Sequence, residues 1–139
     1  MAIRKVVKVG ESSLRKKSKP VKDFDQSLWE LLDDMKETMY ENDGMGFAAP
    51  QVGVLRRVIV IDVNNAFIEL INPEIISRKG KDVEEEGCLS VGNFRGRVER
   101  PYEITVKAYD RYGYPFTLKG EKWFARCICH EVDHLDGIL

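Results

Sequence analysis

The chain's only two histidines, His130 and His134, stand four residues apart with Glu131 between them, in the segment Cys129-His130-Glu131-Val132-Asp133-His134-Leu135-Asp136-Gly137. On an α-helix, side chains at i and i+4 lie one above the other on the same face. Two imidazoles so placed can grip one divalent metal. Glu131, roughly 100° round the helix from His130, can reach a water polarised by that metal. The bland reading is two surface histidines on a helix. Against it, Phe124, Ile128, Val132 and Leu135 form an apolar stripe beside the histidine face. The helix is therefore half buried with its histidines at the flank. The pattern points to a metal-dependent hydrolase.

A catalytic metal needs a third protein ligand, and a cysteine thiolate is a common one. Cys127 lies about 7.5 Å along the helix axis from the midpoint of the histidine pair, an awkward reach for a short side chain. Cys129 points away from the histidine face. Cys88, in Glu86-Gly87-Cys88-Leu89-Ser90, is remote in sequence and can approach from across the site. It is the best third ligand, and the other two cysteines read as core. A further segment, Gly44-Met45-Gly46-Phe47-Ala48-Ala49-Pro50-Gln51, is rich in small residues that let backbone approach a ligand closely. Gln51 offers an amide N–H to a developing oxyanion. Alone, this segment reads better as a tightly packed loop after a helix.

These residues need a scaffold. Residues 1–24 read as loop-rich, with Gly10 and Pro20 as breakers. Residues 25–41 predict an amphipathic helix with the stripe Leu28, Leu31, Leu32, Met35 and Met39, capped by Asp25 or Ser27 and ended by Asn42-Asp43-Gly44. Residues 57–63 are a β-branched run and predict a buried strand. A second strand over 67–71 is expected to stop at Asn72-Pro73. Residues 102–109 alternate and predict a half-buried antiparallel strand, which turns through 110–115 into 116–118. A second helix is expected over 121–135, with Gly137 at its C′ position. The fold class is α+β, with mostly antiparallel sheets packed around the C-terminal metal-binding helix.

At 139 residues the chain is most simply one domain, 1–139. Apolar residues make up 43% and charged residues 32%, with a net charge of −1, so nothing points to direct nucleic-acid binding or to a membrane surface. The cluster Arg15-Lys16-Lys17-Ser18-Lys19 is short and reads as a solvated loop. The start has no apolar run of signal-peptide length, and no segment approaches the roughly 20 apolar residues of a membrane span. Three cysteines in a chain that needs no disulfides suit a reduced, cytoplasmic setting.

Taken jointly, the three motifs resemble the peptide deformylase family. Its patterns G-x-G-x-A-A-x-Q, E-G-C-L-S and H-E-x-D-H-L-x-G stand here as Gly44 to Gln51, Glu86 to Ser90 and His130 to Gly137, in the family's order and spacing. The resemblance extends upstream through Leu14-Arg15, Pro20-Val21 and the Met35 to Tyr40 stretch. Two departures stand out. Cys129 occupies a position that is often Gln, on the face turned away from the metal. The chain also ends two residues after Gly137, where members usually continue.

The resemblance implies hydrolytic removal of the N-formyl group from nascent formyl-methionyl polypeptides at the ribosome, in a bacterial-type cytoplasm or an organelle. Cys88, His130 and His134 would be the metal ligands. Glu131 would be the general base, with the Leu89 backbone N–H and Gln51 holding the oxyanion. Gly44, Met45, Gly46 and Leu89 would bind substrate, the peptide adding as a strand. Met45, Phe47 and Leu89 supply apolar surface for a methionine side chain. The implied metal in the cell is ferrous iron, with zinc, nickel or cobalt able to substitute. Asp133 reads as an ion-pair residue with Arg100 or as a plain surface carboxylate. Two other classes compete. A small zinc peptidase would cut unformylated peptides. A structural metal module would need a fourth protein ligand.

Overall fold

The structure, a computed structural model, describes residue 4, residue 6 and residues 17–42, 44–63, 66–80, 82–87 and 95–138. Helix α1 (Gln26–Glu41) forms where Leu28, Leu31, Leu32, Met35 and Met39 recur at helical spacing, and all five are buried. Asp25 stays extended, and its Oδ1 accepts from the Leu28 N–H at 3.2 Å, satisfying a donor that the first turn leaves open. Asn42 closes the far end.

The strands are β1 (Gly46–Ala48), β2 (Val58–Val63), β3 (Ala66–Lys79), β4 (Asp82–Gly87), β5 (Arg95–Arg100), β6 (Glu103–Tyr109) and β7 (Pro115–Glu121). Five of them form an antiparallel sheet in the order β1-β2-β3-β6-β7, and β4 and β5 form a separate two-stranded sheet. Helix α2 (Lys122–Leu135) follows β7 without a loop. The architecture is α+β, as the sequence predicts.

The larger sheet is covered on both faces. Val58 and Val60 of β2 pack with α1, whereas Ile59 and Ile61 pack with α2. Burial of both faces is why β2 is an unbroken apolar run rather than an alternating one. On the α2 side, Ala125, Ile128, Val132 and Leu135 meet Leu70, Ile104, Val106 and Ala108. Burying the three larger helix side chains contributes on the order of 5–8 kcal/mol before entropy, which clamps the helix at one rotation.

One expected boundary is wrong. β3 does not stop at Asn72-Pro73 but runs through them, with a register shift between Ile71 and Glu74. Asn72 adopts φ 52, a left-handed conformation that asparagine tolerates. Its backbone N–H donates to Arg57 O at 2.8 Å. Its side chain exchanges two hydrogen bonds with the Val21 backbone, at 2.7 and 2.9 Å. Proline has no N–H to give the ladder, and the bulge accommodates it. The β6–β7 turn is closed by Asp110, whose Oδ1 accepts from the N–H groups of Tyr112 and Tyr114 at 2.9 and 3.0 Å. Near the N-terminus, Ser18 N–H donates to Leu135 O at 2.7 Å, strapping the chain to the end of α2. Among the described residues no helix is long and apolar enough to cross a membrane.

Candidate metal centre

The abrupt turn from β7 into α2 is made by Lys122, at φ 55, whose N–H donates to Tyr102 O at 2.8 Å. The apolar stripe then faces the sheet, leaving His130 half buried, His134 at 1% exposure and Glu131 at 5%. Gly137, at φ 77, ends the helix as a left-handed C′ residue, and its N–H donates to His134 O at 3.1 Å.

The two imidazoles converge. Their Nε2 atoms are 3.2 Å apart, with ring centroids at 4.7 Å and planes at 87°. Two nitrogens about 2.0–2.1 Å from one tetrahedral ion would stand about 3.3 Å from each other. The histidine pair therefore fits a shared divalent ion. Among the described residues no group of three or more His, Cys, Asp or Glu side chains gathers to hold a metal. The expected third ligand, Cys88, and the expected oxyanion donor, Leu89, both lie outside the described residues. Cys127 and Cys129 are buried in the core between α2 and the sheet.

Glu131 lies against β1. An ideal Cβ built on Gly46 would meet Glu131 Oε2 at 2.8 Å, Cγ at 3.2 Å and Cδ at 3.4 Å. Gly46 is small because the carboxylate occupies the space a side chain would take. The loop before it is pinned at two points: Gly44 N–H donates to Met39 O at 2.9 Å, and Asp62 N–H donates to Met45 O at 2.8 Å. Met45 is 43% exposed. Phe47 points the other way, fully buried among the α1 residues, so it supplies no surface for a substrate side chain on the Glu131 face. Gln51 sits in the short helical turn Ala49–Val52, and its Oε1 accepts from Ala48 N–H at 3.0 Å. That bond fixes which end of the carboxamide is the donor.

Charged contacts brace the helix that carries the two histidines. Asp133, between Glu131 and His134, pairs with Arg100, the partner the sequence suggests. Asp136 pairs with Arg57 at 2.8 Å. Arg126 is buried to 1% exposure and was not singled out by sequence reasoning. Its spacing of four before His130 was the available signal, since it places Arg126 one turn below on the same face. Tyr40, at the end of α1, donates to Asp62, and that hydrogen bond, followed by burial and the Asp62 charge, raises its pKa above the ordinary 10.0.

Comparison with known proteins agrees over the whole chain. A family model described as polypeptide deformylase matches residues 3–139. A peptide deformylase of Caldicellulosiruptor bescii is 58% identical over 139 residues, covering 100% of this chain and 84% of the relative. The crystal structure of a peptide deformylase from Legionella pneumophila is 48% identical with a TM-score of 0.96, covering 99% of this chain and 83% of that one. A class I type b peptide deformylase from Acinetobacter baumannii, crystallised with Met-Ala-Ser bound, is 36% identical with a TM-score of 0.96, covering 100% of this chain and 97% of that one.

Proposed function

The chain belongs to the peptide deformylase family, metal-dependent hydrolases that remove the N-formyl group from nascent polypeptides, and on that footing we propose how its residues divide the work. Residues 1–139 act as one catalytic domain. Cys88, His130 and His134 hold one divalent ion, ferrous iron in the cell, with zinc, nickel or cobalt able to replace it. When bound, that ion supplies Lewis acidity toward water and the formyl carbonyl.

Glu131 is the proton carrier. Its carboxylate takes one proton as water oxygen bonds to the formyl carbon, and returns it to the methionine nitrogen as the C–N bond breaks; the free amine leaves with formic acid, which gives up its remaining proton to become formate. Burial suits this role, because it keeps bulk water from competing for the proton. The developing oxyanion accepts hydrogen bonds from the Leu89 backbone N–H and from Gln51 Nε2. With Oε1 engaged by Ala48, the Nε2 end is the donor that Gln51 offers. Gly44, Met45 and Gly46 receive the substrate backbone. β1 lies at the edge of the larger sheet, which suits strand addition. Met45 and Leu89 take the methionine side chain, a flexible thioether that adapts to irregular apolar surface. The enzyme meets its substrates in the cytoplasm, as they leave the ribosome.

The observation that carries this reading is the convergence of the two Nε2 atoms beside a carboxylate packed on Gly46. The test is formate release from formyl-Met-Ala-Ser under anaerobic, ferrous conditions, alongside metal content. Met-Ala-Ser, the peptide bound to the Acinetobacter baumannii relative, is the expected product. Cleavage of unformylated peptides without formate release would replace this reading with a peptidase.

A further inference from the structure

Among the described residues the two-stranded sheet β4–β5 forms no ladder with the larger sheet. Contacts other than strand pairing, among them the chain leading out of it, then set its placement over α2. Arg100 ends β5, in register with Asp82 at the start of β4, and its guanidinium pairs with Asp133 on α2. Both side chains are largely shielded, at 13% and 29% exposure, so salt screens the pair less than a surface contact. Two residues on, Tyr102 O accepts from Lys122 N–H at the first residue of the helix. The hairpin is thus fastened to α2 at the end formed by Asp82 and Arg100. Gly87, at the other end of β4, is the residue before Cys88.

We propose that Arg100 and Asp133 are positioning residues that set the angle of the β4–β5 hairpin over α2, and through it the approach of Cys88 to the histidine pair. The inference rests on the reading of Cys88 as third ligand. The lever is long. From Asp82 to Gly87 spans about 17 Å at about 3.3 Å per residue, so a tilt of about 5° at the anchor moves the far end by about 1.5 Å. Metal–ligand distances tolerate only about 0.2 Å. A small loss of angle at Arg100 is therefore a large error at the ligand.

The full chain, stripped of metal and titrated with Co²⁺ against a chelator, provides the test. Arg100→Gln removes a positive charge near the site, so charge alone would tighten Co²⁺ binding. Positioning predicts the opposite, a dissociation constant raised about tenfold or more, with a weakened thiolate-to-cobalt charge-transfer band. In a Cys88→Ala background the substitution should add nothing. Arg100→Lys keeps the charge but not the fork-shaped contact and should fall between wild type and Arg100→Gln; it carries the test if the glutamine variant does not fold. Unchanged or tighter binding in Arg100→Gln, with Cys88→Ala still losing metal, overturns the proposal and leaves the ligand reading intact. Wild-type binding by Cys88→Ala overturns both.

Discussion

Replacing Gly46 by alanine probes the closest packing around Glu131. The new methyl would stand 2.8 Å from Glu131 Oε2, 3.2 Å from Cγ and 3.4 Å from Cδ. Comfortable contacts with carbon begin near 3.5 Å, so the carboxylate must retreat by roughly 0.5 Å or more. With Glu131 only 5% exposed, there is little space to retreat into. Backbone strain is not involved, since Gly46 lies in β1 and is not among the described glycines at positive φ. Without the clash, alanine would stabilise the fold by about 0.4–1 kcal/mol through the unfolded state. Overpacking costs about 1–3 kcal/mol and should win. On the proposed reading of Glu131 as the base, a displacement of this size should cost roughly 10- to 100-fold in kcat, while metal content is unchanged. Formate release, metal content and thermal denaturation measure the three effects. In a Glu131→Ala background the destabilisation should shrink by about 1 kcal/mol or more, since the colliding atoms are gone. A Gly46→Ala enzyme with kcat within about twofold of wild type, or equal destabilisation in both backgrounds, would refute the packing argument.

Four further outcomes are expected. Glu131→Ala should keep its metal and lose on the order of 10²–10⁴-fold or more in kcat; normal turnover with metal bound would exclude it as the base. Cys88→Ala should lose metal and activity together, whereas Cys127→Ala and Cys129→Ala should keep both with at most a packing cost, and air inactivation of the ferrous form should track peptide-mapped oxidation at Cys88. Replacing the substrate methionine by aspartate should cut kcat/KM heavily, because the site would desolvate a charge without a partner; equal rates would contradict an apolar pocket. Tyr40 gives a pH signature. Its pKa is raised in the fold, so its hydrogen bond contributes stability below the unfolded value of 10.0 and loses it as pH rises through the higher folded value. The stability advantage over Tyr40→Phe should be flat from neutral pH to about 9 and shrink above about 10, read by denaturant midpoints; a constant gap across that range would mean that the bond does not form.

What the sequence made legible was local. The α1 stripe, the Asp25 cap and the stacking of His130 on His134 need no knowledge of the rest of the chain, because helix geometry supplies the neighbours. The burial of β2 was legible too, from its unbroken β-branched run. The misses all depend on distant partners. β3 continues through Asn72-Pro73 because Val21, 51 residues away, holds the asparagine side chain. Gly46 reads as permissive backbone until α2 brings Glu131 against it. Phe47 looks like pocket lining until the sheet turns it toward α1. Arg126 looks like a helix-surface cation until its burial is known.

The burial of β2 on both faces has a consequence for how the chain finds its pairing. In a one-sided sheet, slipping a strand by one residue puts apolar side chains in water and polar ones in the core, which strongly specifies the register. At the centre of β2 the same slip only exchanges valine for isoleucine, at about 0.5–1.5 kcal/mol per site. The oily middle of the strand is nearly blind to its own alignment. Discrimination falls on the polar residues at its borders. A slip one way carries Asp62 into the place of buried Ile61, and a slip the other way carries Arg57 into that of Val58, each burying a charge without its partner. In the correct alignment Arg57 reaches Asp136, Asp62 receives Tyr40, and Asn72 marks the first of two register shifts where β3 slips in its pairing with β6. The information that selects the right sheet from its near-copies is thus carried by three polar side chains, and losing any of them would bring the true and the slipped alignments closer in energy.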